Sequence, residues 1–179
     1  MITINKINHS NKSDIHKSNQ PFDIIGSLEI YFQNGNWEYS EVLSSDIKTK
    51  HYPDFDGADA DDYISAPDKT AFFAYWGNEC VGQILISKTW NKYVCIDDIS
   101  VAKANRGHGI GTMLLKKAEA WAKVNDIKAF SVECQDNNVL ASRFFSKNGF
   151  QIGGVNTKLY SMLGKPYESE KAVFWYKNI

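Results

Sequence analysis

Residues 100–115, Ser-Val-Ala-Lys-Ala-Asn-Arg-Gly-His-Gly-Ile-Gly-Thr-Met-Leu-Leu, are the stretch that decides the fold. Here an apolar strand is predicted to end, a glycine-rich loop to turn, and an amphipathic helix to begin. Gly107, Gly109 and Gly111 place no Cβ over the backbone, and amide N–H groups at a helix N-terminus attract anions. Arg106 adds a positive charge beside them. The stretch therefore predicts a phosphate-binding loop, and a glycine-rich turn before a core helix is the plainer alternative.

Two familiar phosphate-loop patterns do not fit these residues. The dinucleotide pattern G-x-G-x-x-G, started at Gly107, needs glycine at position 112 and finds Thr112. The P-loop pattern needs Gly-Lys-Ser/Thr, and this triplet does not occur. The pattern that fits is R-x-x-G-x-G over 106–111, which resembles the pyrophosphate-binding signature of the GNAT superfamily of acetyl-CoA-dependent N-acetyltransferases.

Residues on either side of the loop support this resemblance. The sequence predicts a strand over 93–101, a helix after the loop in which apolar residues recur at helical spacing, and a second strand over 130–134. Beyond that strand the chain is similar to the other GNAT hallmark, N-x-x-A-x-x-x-aromatic-x-x-x-G-F. The residues that match it are Asn138, Ala141, Phe145, Gly149 and Phe150. Two motifs in this order are much harder to obtain by chance than one.

The resemblance covers residues 70–179 and has a narrower form. Residues 91–93 (Asn-Lys-Tyr), 135–138 (Gln-Asp-Asn-Asn) and 170–176 (Glu-Lys-Ala-Val-Phe-Trp-Tyr) are similar to streptothricin acetyltransferases, which acetylate streptothricin-class antibiotics.

Apolar and turn residues predict an α/β (α+β) fold in one domain. With 179 residues, 43% of them hydrophobic, the chain can bury one substantial core. Residues 1–20 are polar, so we expect an N-terminal arm that is partly frayed, followed by a single GNAT N-acetyltransferase domain over 21–179. The resemblance implies a mixed, mostly antiparallel sheet of about seven strands flanked by helices. Hairpins are predicted over 22–43 and 71–86, and final strands over 155–160 and 172–176.

Charge and cysteine content exclude several classes of protein. Twenty basic residues against 21 acidic ones give a net charge of −1, which argues against a nucleic-acid partner bound by bulk electrostatics. Cys80, Cys95 and Cys134 show no C-x-x-C spacing and fall in predicted strands, as expected of buried free thiols in a reducing compartment. The sequence shows no signal-peptide core and no run of transmembrane length, so we expect a cytoplasmic protein with no membrane partner.

No metal site is predicted from the histidines or from the acidic stretch at 54–62. The histidines, at positions 9, 16, 51 and 108, lack the spacing of metal ligands. The acidic stretch invites comparison with a calcium loop, but Gly57 comes two residues early and Ser65 stands where the closing glutamate belongs.

The acidic stretch keeps two interpretations open. Its five aspartates, with no basic residue among them, are Asp54, Asp56, Asp59, Asp61 and Asp62. They form either a solvated acidic loop or an anionic wall that attracts a polycationic substrate, with Asp59, Asp61 and Asp62 as the substrate-binding residues.

Acetyl transfer to an amine requires the neutral amine, whereas a lysine-like ammonium has a pKa near 10.4. A carboxylate can bind the cation and remove its proton, directly or through water. Asp97, Asp98 and Glu133 are the candidates in the predicted strands. Because side chains alternate along a strand, we expect Asp97 and Asp98 to point to opposite faces, so that only one can meet the acceptor. The choice stays open, and for each of them a surface carboxylate is the plainer alternative.

The resemblance implies that acetyl-CoA is the co-substrate, with no metal. Backbone N–H groups of the strand end are implied to hold the acetyl oxygen and the glycine loop the pyrophosphate, while Asn138 and Phe145 of the second motif are also implied to contact the cofactor, Phe145 as a packing residue that lines the thioester channel. The implied cofactor residues are Ile99, Ser100, Val101, Arg106, Gly107, His108, Gly109, Ile110, Gly111, Thr112, Asn138 and Phe145. Many members have a tyrosine acid where this chain has Phe145, so either Tyr160 protonates the departing thiolate or the thiolate leaves unassisted.

Three functions fit these observations. The first is acetylation of the β-lysine amino group of streptothricin-type antibiotics, giving resistance. The second is a GNAT enzyme that acetylates a protein N-terminus, a lysine or a polyamine. The third, a non-catalytic acetyl-CoA-binding module, is weakened by the intact glycine loop and the strand carboxylates. The partner expected is a small cationic amine, and the resemblance allows a homodimer.

Overall fold

A computed structural model describes residues 1–52 and 59–179, along which strands and helices alternate. In chain order they are β1 (Ile2–Lys6), β2 (Phe22–Gln33), β3 (Asn36–Lys50), α1 (Ala60–Ser65), β4 (Lys69–Trp76), β5 (Glu79–Lys88), β6 (Val94–Val101), α2 (Ile110–Val124), β7 (Ala129–Gln135), α3 (Val139–Lys147), β8 (Gln151–Asn156) and β9 (Ala172–Asn178). Two compact units contain them. The first unit comprises residues 1–22, 51–130 and 179, and the second comprises 23–50 and 131–178.

The first unit contains antiparallel neighbours in the order β1-β4-β5-β6. Strand β1 pairs with β4 from Ile2 opposite Trp76 to Lys6 opposite Phe72. The expected fraying of the arm is therefore wrong for these residues. Only Ile2 and Ile4 alternate with polar residues there, a signal too short to stand out, and it is the backbone hydrogen bonds to β4 that order the segment.

Helices cover both faces of this part of the sheet. The buried residues of α2 include Ile110 and Leu114, and a Cβ built on Gly82 of β5 would lie 3.1 Å and 3.2 Å from their side chains. The missing side chain at Gly82 thus lets the start of α2 approach the sheet closely. Tyr63 of α1 packs against a buried cluster that includes Leu85 of β5. Positions 82 and 85 point to opposite faces, so α1 and α2 lie on opposite sides.

The second unit contains the neighbours β7-β9-β8 and the separate β2–β3 hairpin. Strand β8 pairs with β9 from Gln151 opposite Tyr176 to Asn156 opposite Ala172. The strand predicted over 155–160 is wrong beyond Asn156. The side-chain oxygen of Asn156 accepts the N–H of Lys158 at 2.8 Å, and this local bond turns the chain away from the ladder.

The predicted fold class is confirmed. Seven strands form a mostly antiparallel sheet flanked by helices. The two predicted hairpins are present as β2–β3 and β4–β5, and Cys80, Cys95 and Cys134 lie in strands as free thiols. The single domain over 21–179 stays a prediction. Over the part of the chain that the structure describes, no helix has both the length and the apolarity needed to cross a bilayer.

A close backbone approach in the hairpin generates a stability prediction. Gly26 has φ +153°, and a Cβ there would lie 2.2 Å from the carbonyl oxygen of Val42. We expect Gly26→Ala to lower the free energy of unfolding by roughly 2–3 kcal/mol, because backbone atoms must move to make room. Denaturant unfolding measures this loss. Gly154→Ala is the matched control, since nothing lies within 4 Å of its Cβ position. Equal midpoints for the two variants would contradict the account.

Candidate active site

Strand β6 contains one more residue than its partner β5 at the aspartate pair. Leu85 of β5 pairs with Asp98 and the next residue, Ile86, pairs with Ile96, so Asp97 is the extra residue of a β-bulge. Bulges re-aim the side chains around them. The expectation that Asp97 and Asp98 point to opposite faces is therefore wrong.

Hydrogen bonds show that both aspartates project to one face. Ser87 Oγ donates to Asp97 at 2.8 Å, and Gln83 Nε2 donates to Asp98 at 2.5 Å. Ser87 and Gln83 are four residues apart on β5 and share a face. We name the group formed by Tyr63, Gln83, Ser87, Asp97 and Asp98 the aspartate cluster.

Within this cluster Asp97 accepts hydrogen bonds from two hydroxyl groups. Tyr63 donates its hydroxyl to one oxygen at 3.0 Å and Ser87 donates to the other. Burial raises the pKa of Asp97, although these two hydrogen bonds oppose the rise. Burial also raises the pKa of Tyr63, and the neighbouring Asp97 adds to that effect. Asp97 therefore ties helix α1 to strand β5.

A chain segment over residues 16–21, which we call the strap, is fastened along β6. Ser18 Oγ lies 2.9 Å from Ser100 Oγ, and Gln20 Oε1 accepts the N–H of Lys103 at 2.7 Å. At its start the backbone N–H of His16 donates to Gln83 at 2.7 Å. The strap thus runs beside the residues predicted to hold the acetyl oxygen, namely Ile99, Ser100 and Val101.

The glycine loop has the open backbone that a bound phosphate needs. Gly107 and Gly109 have φ of +82° and +78°, and nothing lies within 4 Å of a Cβ built on either. Gly109 is the N-cap of α2, and the first-turn N–H groups of a helix have no intrahelical acceptor. Backbone donors at a helix N-terminus suit a pyrophosphate. The residues present therefore fit acetyl-CoA at this position, which stays a prediction.

The side chain of Arg106 binds backbone carbonyls, whereas its charge beside the glycine loop had suggested a contact with phosphate. Its guanidinium donates to three backbone carbonyls, those of Val101 at 2.8 Å and of Gln20 and Pro21 at 2.9 Å each. These bonds join the strap, the end of β6 and the loop. The described contacts of Arg106 therefore give it a role in shaping the loop, and a direct contact with phosphate stays a prediction.

The other residues predicted to bind the cofactor in this loop are His108, Ile110, Gly111 and Thr112. Ile110 is buried beneath the loop, whereas His108 is exposed and its Nδ1 lies 3.2 Å from the carbonyl oxygen of Asn105. Gly111 and Thr112 belong to the first turn of α2.

In the second unit the structure brings Glu133 and Tyr160 together. The Tyr160 hydroxyl donates to Glu133 Oε1 and accepts from Gln135 Nε2 at 3.1 Å. Burial raises the pKa of Glu133, while the Tyr160 hydrogen bond and the charge of Lys50 lower it. Lys50 itself forms a buried ion pair with Glu170 at 2.6 Å. Glu133 is thus a carboxylate with a raised pKa and a hydroxyl donor in contact, which is typical of acid–base sites.

The second motif contributes a helix cap and a packing residue. Asn138 is the N-cap of α3, where its Oδ1 accepts the N–H of Ala141 at 3.1 Å. Phe145 is buried with Phe150 and Trp175, at ring distances of 5.4 Å and 6.4 Å. Contact of Asn138 or Phe145 with the cofactor stays a prediction.

The described part of the acidic stretch has partners within the first unit. Asp59 caps α1 by accepting the N–H of Asp61 at 2.9 Å. Asp61 pairs with Lys12 at 2.8 Å, and Asp62 with Lys69 at 3.2 Å. Asp54 and Asp56 lie outside the described residues. The anionic wall was predicted from the negative charge of these aspartates, and Lys12 and Lys69 offset part of that charge.

These elements match a family of known proteins. A family model described as the acetyltransferase (GNAT) family matches residues 24–150, more than half of the chain. The chain belongs to the GNAT family. Streptothricin acetyltransferase A of Bacillus subtilis (strain 168) is 43% identical over 173 residues, which cover 97% of this chain and 98% of that protein. A streptothricin acetyltransferase of Escherichia coli is 35% identical over 120 residues, covering 64% of this chain and 68% of that protein.

A solved structure extends this similarity to the cofactor. It is a Bacillus anthracis protein provisionally described as a streptothricin acetyltransferase, in complex with acetyl coenzyme A. It superposes with a TM-score of 0.90 at 28% identity, over 100% of this chain and 99% of that one. This GNAT chain is accordingly an acetyl-CoA-dependent N-acetyltransferase, as its sequence predicted.

Sequence reasoning missed several polar residues of this GNAT enzyme. Gln83 lies within residues 80–86 of β5, a run that is otherwise without polar side chains apart from a thiol, and a polar residue there is a signal that could have been followed. The spacing of the histidines bears only on metal binding, so it gave no sign that His16 contacts Gln83. Tyr63 gave no signal, because its contact with Asp97 joins positions 34 residues apart.

The glycine loop generates a binding prediction. We expect Gly109→Val to weaken acetyl-CoA binding at least about tenfold, because a branched side chain would stand where the pyrophosphate must approach the amides. Calorimetry measures the dissociation constant. Gly77→Val is the matched control, since Gly77 also has positive φ and open space but lies in the β4–β5 turn. Unchanged affinity in a folded Gly109→Val enzyme would show that the loop is misassigned.

Proposed function

We propose that this enzyme transfers the acetyl group of acetyl-CoA to the β-lysine amino group of streptothricin-type antibiotics and so confers resistance. The observation that carries the proposal is the 43% identity with the Bacillus subtilis streptothricin acetyltransferase A, which extends over 97% of the chain. The Escherichia coli relative supports the same substrate class. The β-lysine amine is proposed on chemical grounds, because it is the lysine-like primary amine of a polycationic antibiotic.

The reaction sets three requirements for the site. The neutral amine attacks the thioester carbonyl, a C–N bond forms, and the C–S bond breaks as the CoA thiolate leaves. The amine must therefore lose a proton, the carbonyl oxygen needs hydrogen-bond donors as its charge grows, and the thiolate gains a proton at or after departure.

We assign the proton-accepting role to carboxylates other than Asp97. Each oxygen of Asp97 already accepts a hydroxyl, from Tyr63 and from Ser87, so Asp97 acts as a structural group. Asp98 and Glu133 remain the groups proposed to bind the ammonium or remove its proton. The raised pKa of Glu133 brings its basicity closer to that of the amine, which favours proton transfer.

The other proposed roles belong to backbone N–H groups and to the hydroxyl group of Tyr160. Backbone N–H groups around Ile99–Val101 would hold the acetyl oxygen, and those of loop 106–112 the pyrophosphate. Tyr160 would supply the proton for the thiolate, and its hydroxyl is already polarised between Glu133 and Gln135. In this arrangement the proposed proton donor, Tyr160, is hydrogen-bonded to Glu133, one of the two groups proposed to receive the amine proton.

We propose that the acidic residues attract the antibiotic less strongly than an unpaired anionic surface would. Asp59, Asp61 and Asp62 stand at the start of α1, and Lys12 and Lys69 offset two of the three charges. A substrate cation could replace a lysine in either pair, so these aspartates would act through exchange of ion-pair partners rather than as a free anionic surface.

We also propose that the enzyme works in the cytoplasm. Its three cysteines are free thiols, which suits a reducing compartment. Burial raises the pKa of Cys80 to about 11 and that of Cys134 to about 12. Thiols of this kind are inert, so neither Cys80 nor Cys134 is proposed to take part in acetyl transfer.

The substrate proposal predicts a covalent product. Incubation of the purified enzyme with acetyl-CoA and streptothricin is expected to give monoacetylated antibiotic, and fragmentation by mass spectrometry is expected to place the acetyl group on β-lysine. Spermidine and a peptide with a free N-terminus are the comparison acceptors. If streptothricin stays unmodified while either comparison acceptor is acetylated, the enzyme is a general N-acetyltransferase instead.

The Glu133–Tyr160 contact predicts a pH effect with a definite sign. A base must be deprotonated, so kcat/KM should fall as the pH drops through the raised pKa of Glu133. The Tyr160 hydrogen bond lowers that pKa, so Tyr160→Phe should raise it and move the acid limb to higher pH. Glu133→Gln should remove the limb and cost roughly 10²–10⁴-fold in kcat/KM.

Rate–pH profiles of the variants check this prediction. Tyr31→Phe in the exposed part of β2 is the matched control and should leave the profile in place. If the acid limb of kcat/KM stays at the wild-type pH in Tyr160→Phe, that limb reports the titration of a group other than Glu133.

A further inference from the structure

The side-chain amide of Gln83 joins the strap to the aspartate cluster. Gln83 is fully buried in β5, and a buried amide is unfavourable unless both of its ends are hydrogen-bonded. Both ends are bonded here. Oε1 accepts the backbone N–H of His16 at 2.7 Å, and Nε2 donates to Asp98 Oδ2 at 2.5 Å.

The chemistry of these partners fixes which way the amide points. The backbone N–H of His16 can only donate, so it must meet the amide oxygen. The amide NH₂ is then left facing Asp98, and because it can only donate, Asp98 must accept. A flipped amide would place donor against donor and oxygen against oxygen. Gln83 therefore donates to the Asp98 carboxyl group and holds it in one orientation.

The same amide also holds His16 in an uncommon backbone conformation. His16 has φ +67°, in the left-handed region that non-glycine residues seldom occupy. Such conformations persist where surrounding contacts determine them, and they gather at functional sites. The contacts here are Gln83 at the N–H of His16 and, two residues on, Ser18 against Ser100. The imidazole Nδ1 lies 3.4 Å from Gln83 Nε2.

We infer that Gln83 is a positioning residue for the acceptor amine, which it serves by fixing the Asp98 carboxylate against the strap. The primary ammonium group of the acceptor would meet a carboxylate that is correctly oriented before the amine arrives. Preorganisation of this kind lowers the cost of binding and of proton removal. The inference rests on the proposed function in two respects, namely that the acceptor is a cationic amine and that Asp98 receives it.

Gln83→Glu tests the inference with little change of shape. A second carboxylate would face Asp98, so one of the two must take up a proton or move away. We expect kcat/KM for the amine to fall at least about tenfold, while the acetyl-CoA dissociation constant stays within about twofold. Gln33→Glu, on the exposed end of β2, makes the same charge change elsewhere and should leave kcat/KM unaffected. Ile84→Val controls for lost packing in the same strand.

The reversed pair separates positioning from a purely structural role. In Gln83→Glu with Asp98→Asn, the new amide at 98 can donate to the new carboxylate at 83, so the hydrogen bond returns with its ends exchanged. The melting temperature should recover from that of Gln83→Glu towards the wild-type value. The kcat/KM should stay as low as in Asp98→Asn alone, since the carboxylate is in the wrong place.

Two results would overturn the inference. One is a kcat/KM within twofold of wild type in Gln83→Glu or in Asp98→Asn. The other is recovery of kcat/KM along with the melting temperature in the reversed pair, which would mean that Gln83 only stabilises the fold.

The acceptor assay keeps this test separate from the substrate proposal. Wild-type enzyme is first assayed by CoA thiol release with streptothricin, spermidine and a peptide amine. If only spermidine or the peptide reacts, streptothricin is the wrong substrate, and the Gln83 series is measured with the amine that reacts. If streptothricin reacts and Gln83→Glu is unimpaired, the substrate stands and the positioning role fails.

Discussion

The extra residue in strand β6 is the constraint on which the polar arrangement of the first unit depends. In a regular strand one of Asp97 and Asp98 would face α2, on the side of Ile96 and Ile99, where an unpaired carboxylate is costly. The bulge turns both towards the opposite face. There, hydroxyl and amide donors on β5 and α1 meet them. The extra residue in β6 lets two adjacent acidic residues occupy this strand, because both can then meet hydrogen-bond donors on the same face.

This arrangement also explains how a segment without periodicity becomes ordered. The strap has no apolar pattern of its own and is held by separate polar contacts to β5, β6 and the glycine loop. Arg106 supplies two of them by donating to the backbone carbonyls of Gln20 and Pro21, and the buried Ser18 supplies another. A charged group that looked suited to phosphate therefore also keeps the N-terminal segment beside the strand end. Shape in the loop and order in the strap depend on the same side chain.

Local patterns predicted the parts of the structure that local forces determine. The glycine loop, the amphipathic helix behind it and both hairpins follow from spacing and turn residues, and the family resemblance that the two motifs carry implied the seven-stranded sheet. Predictions failed where distant partners decide the outcome. Strand β1 forms through pairing with β4, and the chain leaves β8 at Asn156 because a side chain bonds locally.

The site itself was only partly accessible to the same reasoning. Ile96 and Ile99 are apolar at a spacing of three, and in a strand this interval is a sign of a bulge that strict alternation overlooks. By contrast, Gln83, His16 and Tyr63 acquire their roles through contacts across 15 to 67 residues of sequence. The Glu133–Tyr160 pair was predicted as two separate candidates, and only the fold brings the two side chains into contact.

The raised pKa values of the half-buried Cys80 and the buried Cys134 have a practical consequence for the way this enzyme can be studied. Disulfide reagents that report released CoA react with thiolates, and a thiol with a pKa of about 11, such as Cys80, is ionised to roughly one part in a thousand at pH 8. Cys134, with a pKa of about 12, is ionised less still. These two protein thiols will be nearly silent on the timescale of an assay. A colorimetric trace can therefore be read as CoA turnover with little background from them.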